Sequence, residues 1–159
     1  MSTSARSTDG VHVRPAGSYD AGGLAALLRL HGAKPTEGDL ASELREWMAE
    51  PPALWHLAEI DGTILGLQRI APPDPPSPPL VWRVATFVAP EGTMPRATSA
   101  TELGSALWQA TERAARRLRL TAIEARVPDG NGAALAYYRS RGFEDVPGRL
   151  GMRHLVHRL

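Results

Sequence analysis

The chain contains no cysteine, which excludes disulfide cross-links, thiolate metal sites and a cysteine nucleophile in one step. An excess of charge of either sign is also missing, since 18 basic residues stand against 17 acidic ones for a formal net charge of +1. No global field therefore draws the chain to nucleic acid, and none is expected as a partner. No run of about 18 apolar residues is there to cross a bilayer, and the opening MSTSARSTDG lacks the charged-then-apolar form of a secretory signal. The expectation is a cytoplasmic protein with no membrane association. Lysine is almost absent too: Lys34 alone stands among many arginines and alanines, which points to a GC-rich coding sequence and leaves mechanism untouched.

What is present suits one compact domain, because 159 residues with 43% hydrophobic content bury a full core. Residues 1–10 read as a disordered tail and residues 11–159 as the domain. Residues 11–15 alternate like a strand, and Asp20 is placed to cap a helix reaching residue 30. A second helix spans residues 39–50, with Leu40, Leu44, Trp47 and Met48 on one side, and Pro51-Pro52 stops it. Strands over 53–60 and 63–70 are joined by Asp61-Gly62, a strong antiparallel hairpin signal. The run APPDPPSPP over 71–79 lacks the donors for a sheet and reads as an extended, polyproline-like loop. A strand over 80–89, a loop over 90–100 and a helix over 101–120 follow, the helix carrying Leu103, Leu107, Ala110, Ala114 and Leu118 on one side. A strand over 121–127, a helix from Asn131 and two final strands around a Pro147-Gly148 turn complete the order β α α β β β α β α β β.

Two segments carry chemistry. In NGAALAYYRSRGF, Asn131 to Phe143, steps of three, four and seven residues put Asn131, Ala134 and Tyr138 near one helical stripe. Gly142 is placed to end that helix in the left-handed conformation, with Phe143 packing back against it. At the start of the long helix, Gly104 follows a stretch of small residues. First-turn amides lack internal partners and sit at the positive end of the helix dipole, so an anion is held there. His154 and His157, three apart in a strand, point to opposite faces and make a poor metal pair. No metal is expected.

The first segment meets every fixed position of N-x-x-A-x-x-x-Y-x-x-x-G-F and so resembles the last motif of the GNAT N-acetyltransferase superfamily. The resemblance covers nearly the whole chain and implies an α/β (α+β) fold, with a mixed, mostly antiparallel sheet of about six to seven strands and about four helices. It implies acetyl-CoA as cosubstrate and transfer of acetyl, by direct attack in a ternary complex, to a primary amine of a small molecule or peptide, as in small bacterial relatives. The helix-start motif of that family, Gln/Arg-x-x-Gly-x-Gly/Ala, aligns with residues 99–104. Its last glycine is Gly104, its first position is Ser99, and its middle glycine is Glu102, a carboxylate that repels pyrophosphate unless it turns to solvent.

The implied cofactor contacts are Phe87 and Val88 on the strand, Leu103, Gly104, Ser105 and Ala106 on the helix, then Asn131 and Tyr138, with Arg96 as a further phosphate candidate. Tyr138 is the implied general acid for the leaving thiolate, and an N–H near Phe87 or Val88 polarises the carbonyl. The base is less defined: Glu124, alternating with Ile123 and Ala125, is the first candidate, with Glu59 and His56 as others. Trp47, Trp55 and Trp82 are candidate walls of an acceptor pocket. A non-catalytic acyl-CoA-binding or regulatory module is the alternative, and a homodimer stays open.

Overall fold

Two residues reverse the chain between β2 (Leu54–Ile60) and β3 (Thr63–Ala71). Asp61 (φ 49°) and Gly62 (φ 80°) both take the left-handed conformation, as in a type I′ turn, whose twist matches that of its flanking strands. The computed structural model describes residues 10–36, 38–73, 80–95 and 98–159. Around the hairpin lie β1 (His12–Pro15), α1 (Ala21–Leu30), α2 (Leu40–Met48), β4 (Val81–Val88), α3 (Ala100–Arg117), β5 (Ala122–Pro128), α4 (Gly132–Ser140), β6 (Glu144–Val146) and β7 (Met152–Arg158). The strands form one sheet in the order β1-β2-β3-β4-β5-β7-β6. β4 and β5 pair in parallel, while β1 with β2, β5 with β7 and β6 with β7 are antiparallel. Among the described residues, seven strands in a mixed sheet and four α-helices give the architecture expected of the GNAT fold. Residues 1–9 of the tail expected over 1–10, the greater part of the proline-rich stretch (74–79) and Arg96 lie outside the described residues. No described helix is long and apolar enough to cross a membrane.

The chain divides into two compact units. The first is Met1–Arg69 with Thr86–Ala110. Its core joins Leu24 and Leu28 of α1, Leu40 and Leu44 of α2, Leu57 of β2, Leu65 and Leu67 of β3, and Leu103 and Leu107 of α3. Asp39 caps α2 by accepting the Ser42 N–H at 3.2 Å. Asp20 precedes α1 as expected, yet its side chain does not cap that helix. Its oxygens take Arg14 at 2.8 and 2.9 Å and the Gly17 N–H at 2.8 Å, because a bidentate charged pair outweighs a single neutral cap bond. Trp47, expected on the apolar side of α2, is 51% exposed; Leu40 and Leu44, one turn apart, bury that helix without it.

The second unit is Ile70–Ala85 with Thr111–Leu159. β5 is its centre, paired with β4 from Val81↔Ala122 to Arg83↔Glu124 and with β7 over its full length. Ile123, Ala125, Val127 and Leu155 are buried. α3 ends at Arg117, short of the expected residue 120, and Leu118 is 44% exposed. Arg119 takes φ 61°, the Leu120 N–H bonds to the Ala115 carbonyl and the Arg119 N–H to that of Arg116. This is a Schellman ending, with arginine in the place glycine usually fills.

Candidate functional site

α3 starts at Ala100, and its cap is built by the chain itself. The Ser99 hydroxyl accepts the Glu102 N–H at 3.2 Å and the Ser99 carbonyl accepts the Leu103 N–H at 3.2 Å. Ser99-Ala100-Thr101-Glu102 thus has the spacing of a capping box. The Ala100 N–H reaches Glu91 Oε1 at 3.4 Å, so a carboxylate rests on the first turn as an anion is expected to. Leu103 and Gly104 are buried, Ser105 and Ala106 partly so, and Glu102 is exposed. The Leu103 amide is taken by Ser99, and those of Gly104, Ser105 and Ala106 fall within the helical ladder. With the Glu102 N–H also taken, by the Ser99 hydroxyl, the donors left for an anion at this end are those of Ala100 and Thr101, one turn earlier than expected.

The end of β4 is pinned from α1. The Ala89 N–H bonds to the Leu65 carbonyl at 2.8 Å, so alternation turns the Val88 N–H and C=O to the opposite edge. There His31 Nε2–H donates to the Val88 carbonyl at 2.8 Å, and the imidazole stands edge-on to Phe87 at 5.6 Å. Phe87 and Val88 pack on the core that holds Leu103 and Leu107, so the structure brings these strand and helix candidates together within the first unit. A Cβ at Gly66 would stand 3.0 Å from Leu107 Cδ1; glycine lets α3 lie close against β3.

In the second unit Asn131 and Tyr138 mark opposite ends of α4, about 10 Å apart along the axis. The Asn131 side chain accepts the Ala134 N–H at 3.1 Å and caps the helix. At the other end Gly142 takes φ 93°, with Phe143 N–H to Tyr138 C=O and Gly142 N–H to Arg139 C=O, both at 3.1 Å. Tyr138 is 5% exposed, and its ring lies 5.1 Å from those of both Tyr137 and Phe143. Tyr137 is only partly buried, under the Arg141 guanidinium at 5.2 Å.

Glu124 is 4% exposed. Arg83 Nε donates to its Oε2 at 2.7 Å, and His154 Nε2 lies 3.4 Å from its Oε1. Its neighbour in sequence, Ile123, is in register with His157, which on the other face meets Phe143 at 5.4 Å and Glu112 at 3.2 Å. The Glu124 cluster and the Tyr138–Phe143 stack therefore lie on opposite faces of this unit's sheet. Of the other base candidates, Glu59 is gripped by Arg14 at 3.2 Å, and that hydrogen bond holds its carboxyl below the usual range although burial acts the other way. His56 is buried in β2. Sequence reasoning missed Arg83, His154, Glu91 and His31 as partners; only the S-x-x-E spacing at 99–102 offered a signal for the cap.

No protein-family model and no curated protein sequence matches the chain. Solved structures do. A GCN5-related N-acetyltransferase from Kribbella flavida is 23% identical, with TM-score 0.72 over 94% of this chain and 98% of that one. YncA from Salmonella typhimurium, a putative acetyltransferase solved with its cofactor acetyl-CoA, is 15% identical, with TM-score 0.74 over 95% of each chain. The PaiA N-acetyltransferase from Thermoplasma acidophilum, in complex with coenzyme A, is 14% identical, with TM-score 0.70 over 94% and 99%.

Proposed function

We propose that the protein is an acetyl-CoA-dependent N-acetyltransferase acting on a primary amine of a small molecule or peptide. The observation that carries this reading is the start of α3, where an 18-residue helix already draws the Glu91 carboxylate to its first amide, that of Ala100. The same donors and dipole suit the pyrophosphate of coenzyme A. The acetyl-CoA of the Salmonella protein and the coenzyme A of the Thermoplasma protein accompany this fold.

Bound acetyl-CoA supplies an activated thioester. The amides of Ala100 and Thr101 hold the pyrophosphate, with Leu103, Gly104, Ser105 and Ala106 forming the wall of that turn and Glu91 swinging aside. The Val88 N–H polarises the acyl carbonyl beside Phe87. Asn131 fixes the start of α4, and the Tyr138 hydroxyl gives its proton to the leaving sulfur. An amide bond forms between the amine nitrogen and the acetyl carbon, the C–S bond breaks, the proton lost by the amine goes to water, and water returns one to the Tyr138 oxygen. Water is preferred over Glu124 because proton uptake there would dissolve the 2.7 Å ion pair with Arg83. The second reading, a non-catalytic acyl-CoA-binding or regulatory module, is favoured by the same self-capped turn. Melting curves with and without acetyl-CoA, beside thiol release over amines, amino acids, polyamines and peptides, separate the two. A shift with no thiol release supports the module, and neither response overturns both.

A further inference from the structure

Arg69 of β3 is partly buried, and burial lowers the pKa of its guanidinium against a weaker, opposing pull from Glu50. Its Nε–H is shielded from solvent and has no hydrogen-bond partner among the described residues. The guanidinium lies over the Trp55 ring at 5.2 Å. Trp55 is itself 8% exposed, and its indole N–H is likewise buried without an acceptor among the described residues. Two neighbouring donors, one of them charged, are thus desolvated without a partner, an arrangement that costs stability unless something else pairs with them. With the indole under the guanidinium and the side chain only partly buried, the terminal N–H groups of Arg69 are the donors that a carboxylate can reach.

We propose that Arg69 and Trp55 form a subsite for the carboxylate of the acetyl acceptor, so that the acceptor is a primary amine that also carries a carboxylate. This rests on the acetyl-transfer reading and narrows its substrate class. It also reverses the role expected for Trp55: Arg69 already occupies a ring face, and the pair selects an anion where the indole alone would favour a cation.

The test titrates the protein calorimetrically, with and without coenzyme A, with glycine, L-glutamate, L-methionine and L-phenylalanine, each beside its carboxamide. Thiol release from acetyl-CoA is followed with the same eight amines. At least one acid should bind and react on the order of 30-fold better than its amide, and Arg69→Met should reduce that ratio to near one. Trp55→Phe, which keeps the ring and removes the N–H, should lower it partly. Arg69→Met should melt no lower than the parent, since it removes a charge that burial disfavours and keeps an unbranched apolar side chain at that position. A clear fall in melting temperature would make the guanidinium structural and overturn the subsite. So would equal treatment of acids and amides, discrimination that survives Arg69→Met, or no binding by any acid. Arg69-dependent binding of acids without thiol release from any amine would keep the subsite and overturn acetyl transfer.

Discussion

Phe143 donates its N–H to the Tyr138 carbonyl across 3.1 Å and sets its ring 5.1 Å from the Tyr138 ring. The residue proposed as the acid is therefore also the helix residue against which the chain folds back at the end of α4. Packing and chemistry at this position separate cleanly. Tyr138→Phe keeps the ring contact and the backbone bond while deleting the hydroxyl. Turnover should fall by about 100-fold, with acetyl-CoA affinity and melting temperature close to the parent's. Tyr138→Ala should lower both. Equal turnover in Tyr138→Phe and the parent would leave the tyrosine as packing alone.

Glu91 accepts the Ala100 N–H of α3 at 3.4 Å, where the proposed site would hold a pyrophosphate. Neutralising that carboxylate removes the competitor and its repulsion, so Glu91→Gln should bind acetyl-CoA more tightly by about fivefold, in line with a helix-terminus charge worth about 1 kcal/mol. Glu102→Gln, an exposed residue whose backbone N–H is capped by Ser99, should change affinity by less than about twofold. Calorimetric titration with acetyl-CoA reads both. A larger effect at Glu102 than at Glu91 would place the phosphate nearer the helix side chains than the capping turn.

The helix endings show what was legible in the chain and what was not. Gly32 and Gly142 both take left-handed φ at the ends of α1 and α4, and Gly142 could be placed beforehand because glycine tolerates that conformation without a Cβ penalty. Arg119 does the same at the end of α3, where no glycine marks it; burial of Leu120 at 6% exposure holds the turn, and a tertiary contact has no local signature. The Asp61-Gly62 turn rests on short-range chemistry and was readable. The Arg83–Glu124–His154 cluster spans β4, β5 and β7. It depends on strand register between segments far apart in sequence, so Glu124 could be singled out but its partners could not.

That cluster makes a prediction about Glu124 itself. Glu124→Gln leaves Arg83 facing a neutral amide on a buried carbon frame, so the chain should lose about 2 kcal/mol of stability. The pH profile of turnover should keep the parent's acid limb if, as proposed, water takes the amine's proton. Double substitution of Arg83 and Glu124 to Met and Leu should recover part of the stability. A flattened acid limb in a fully stable Glu124→Gln protein would instead make Glu124 the base.

Arg14 bridges Asp20 at 2.8 Å and Glu59 at 3.2 Å, joining β1, the turn before α1 and β2. Its hydrogen bonds are the largest cause holding both carboxyls below their ordinary range, against the opposing effect of burial. Depressed carboxyl values add stability that is fully present above about pH 4, where the unfolded carboxylates are already ionised. That stability is lost as the pH falls through the folded values. Arg14→Met should therefore cost about 3 kcal/mol at pH 7, mostly because Asp20 is left buried and unpaired. Below about pH 4 the difference between variant and parent should shrink as both carboxylates take up protons. Urea unfolding at pH 7, 5 and 3 measures this gap, and a gap unchanged from pH 7 to pH 3 would assign the loss to the packing of the arginine stem instead.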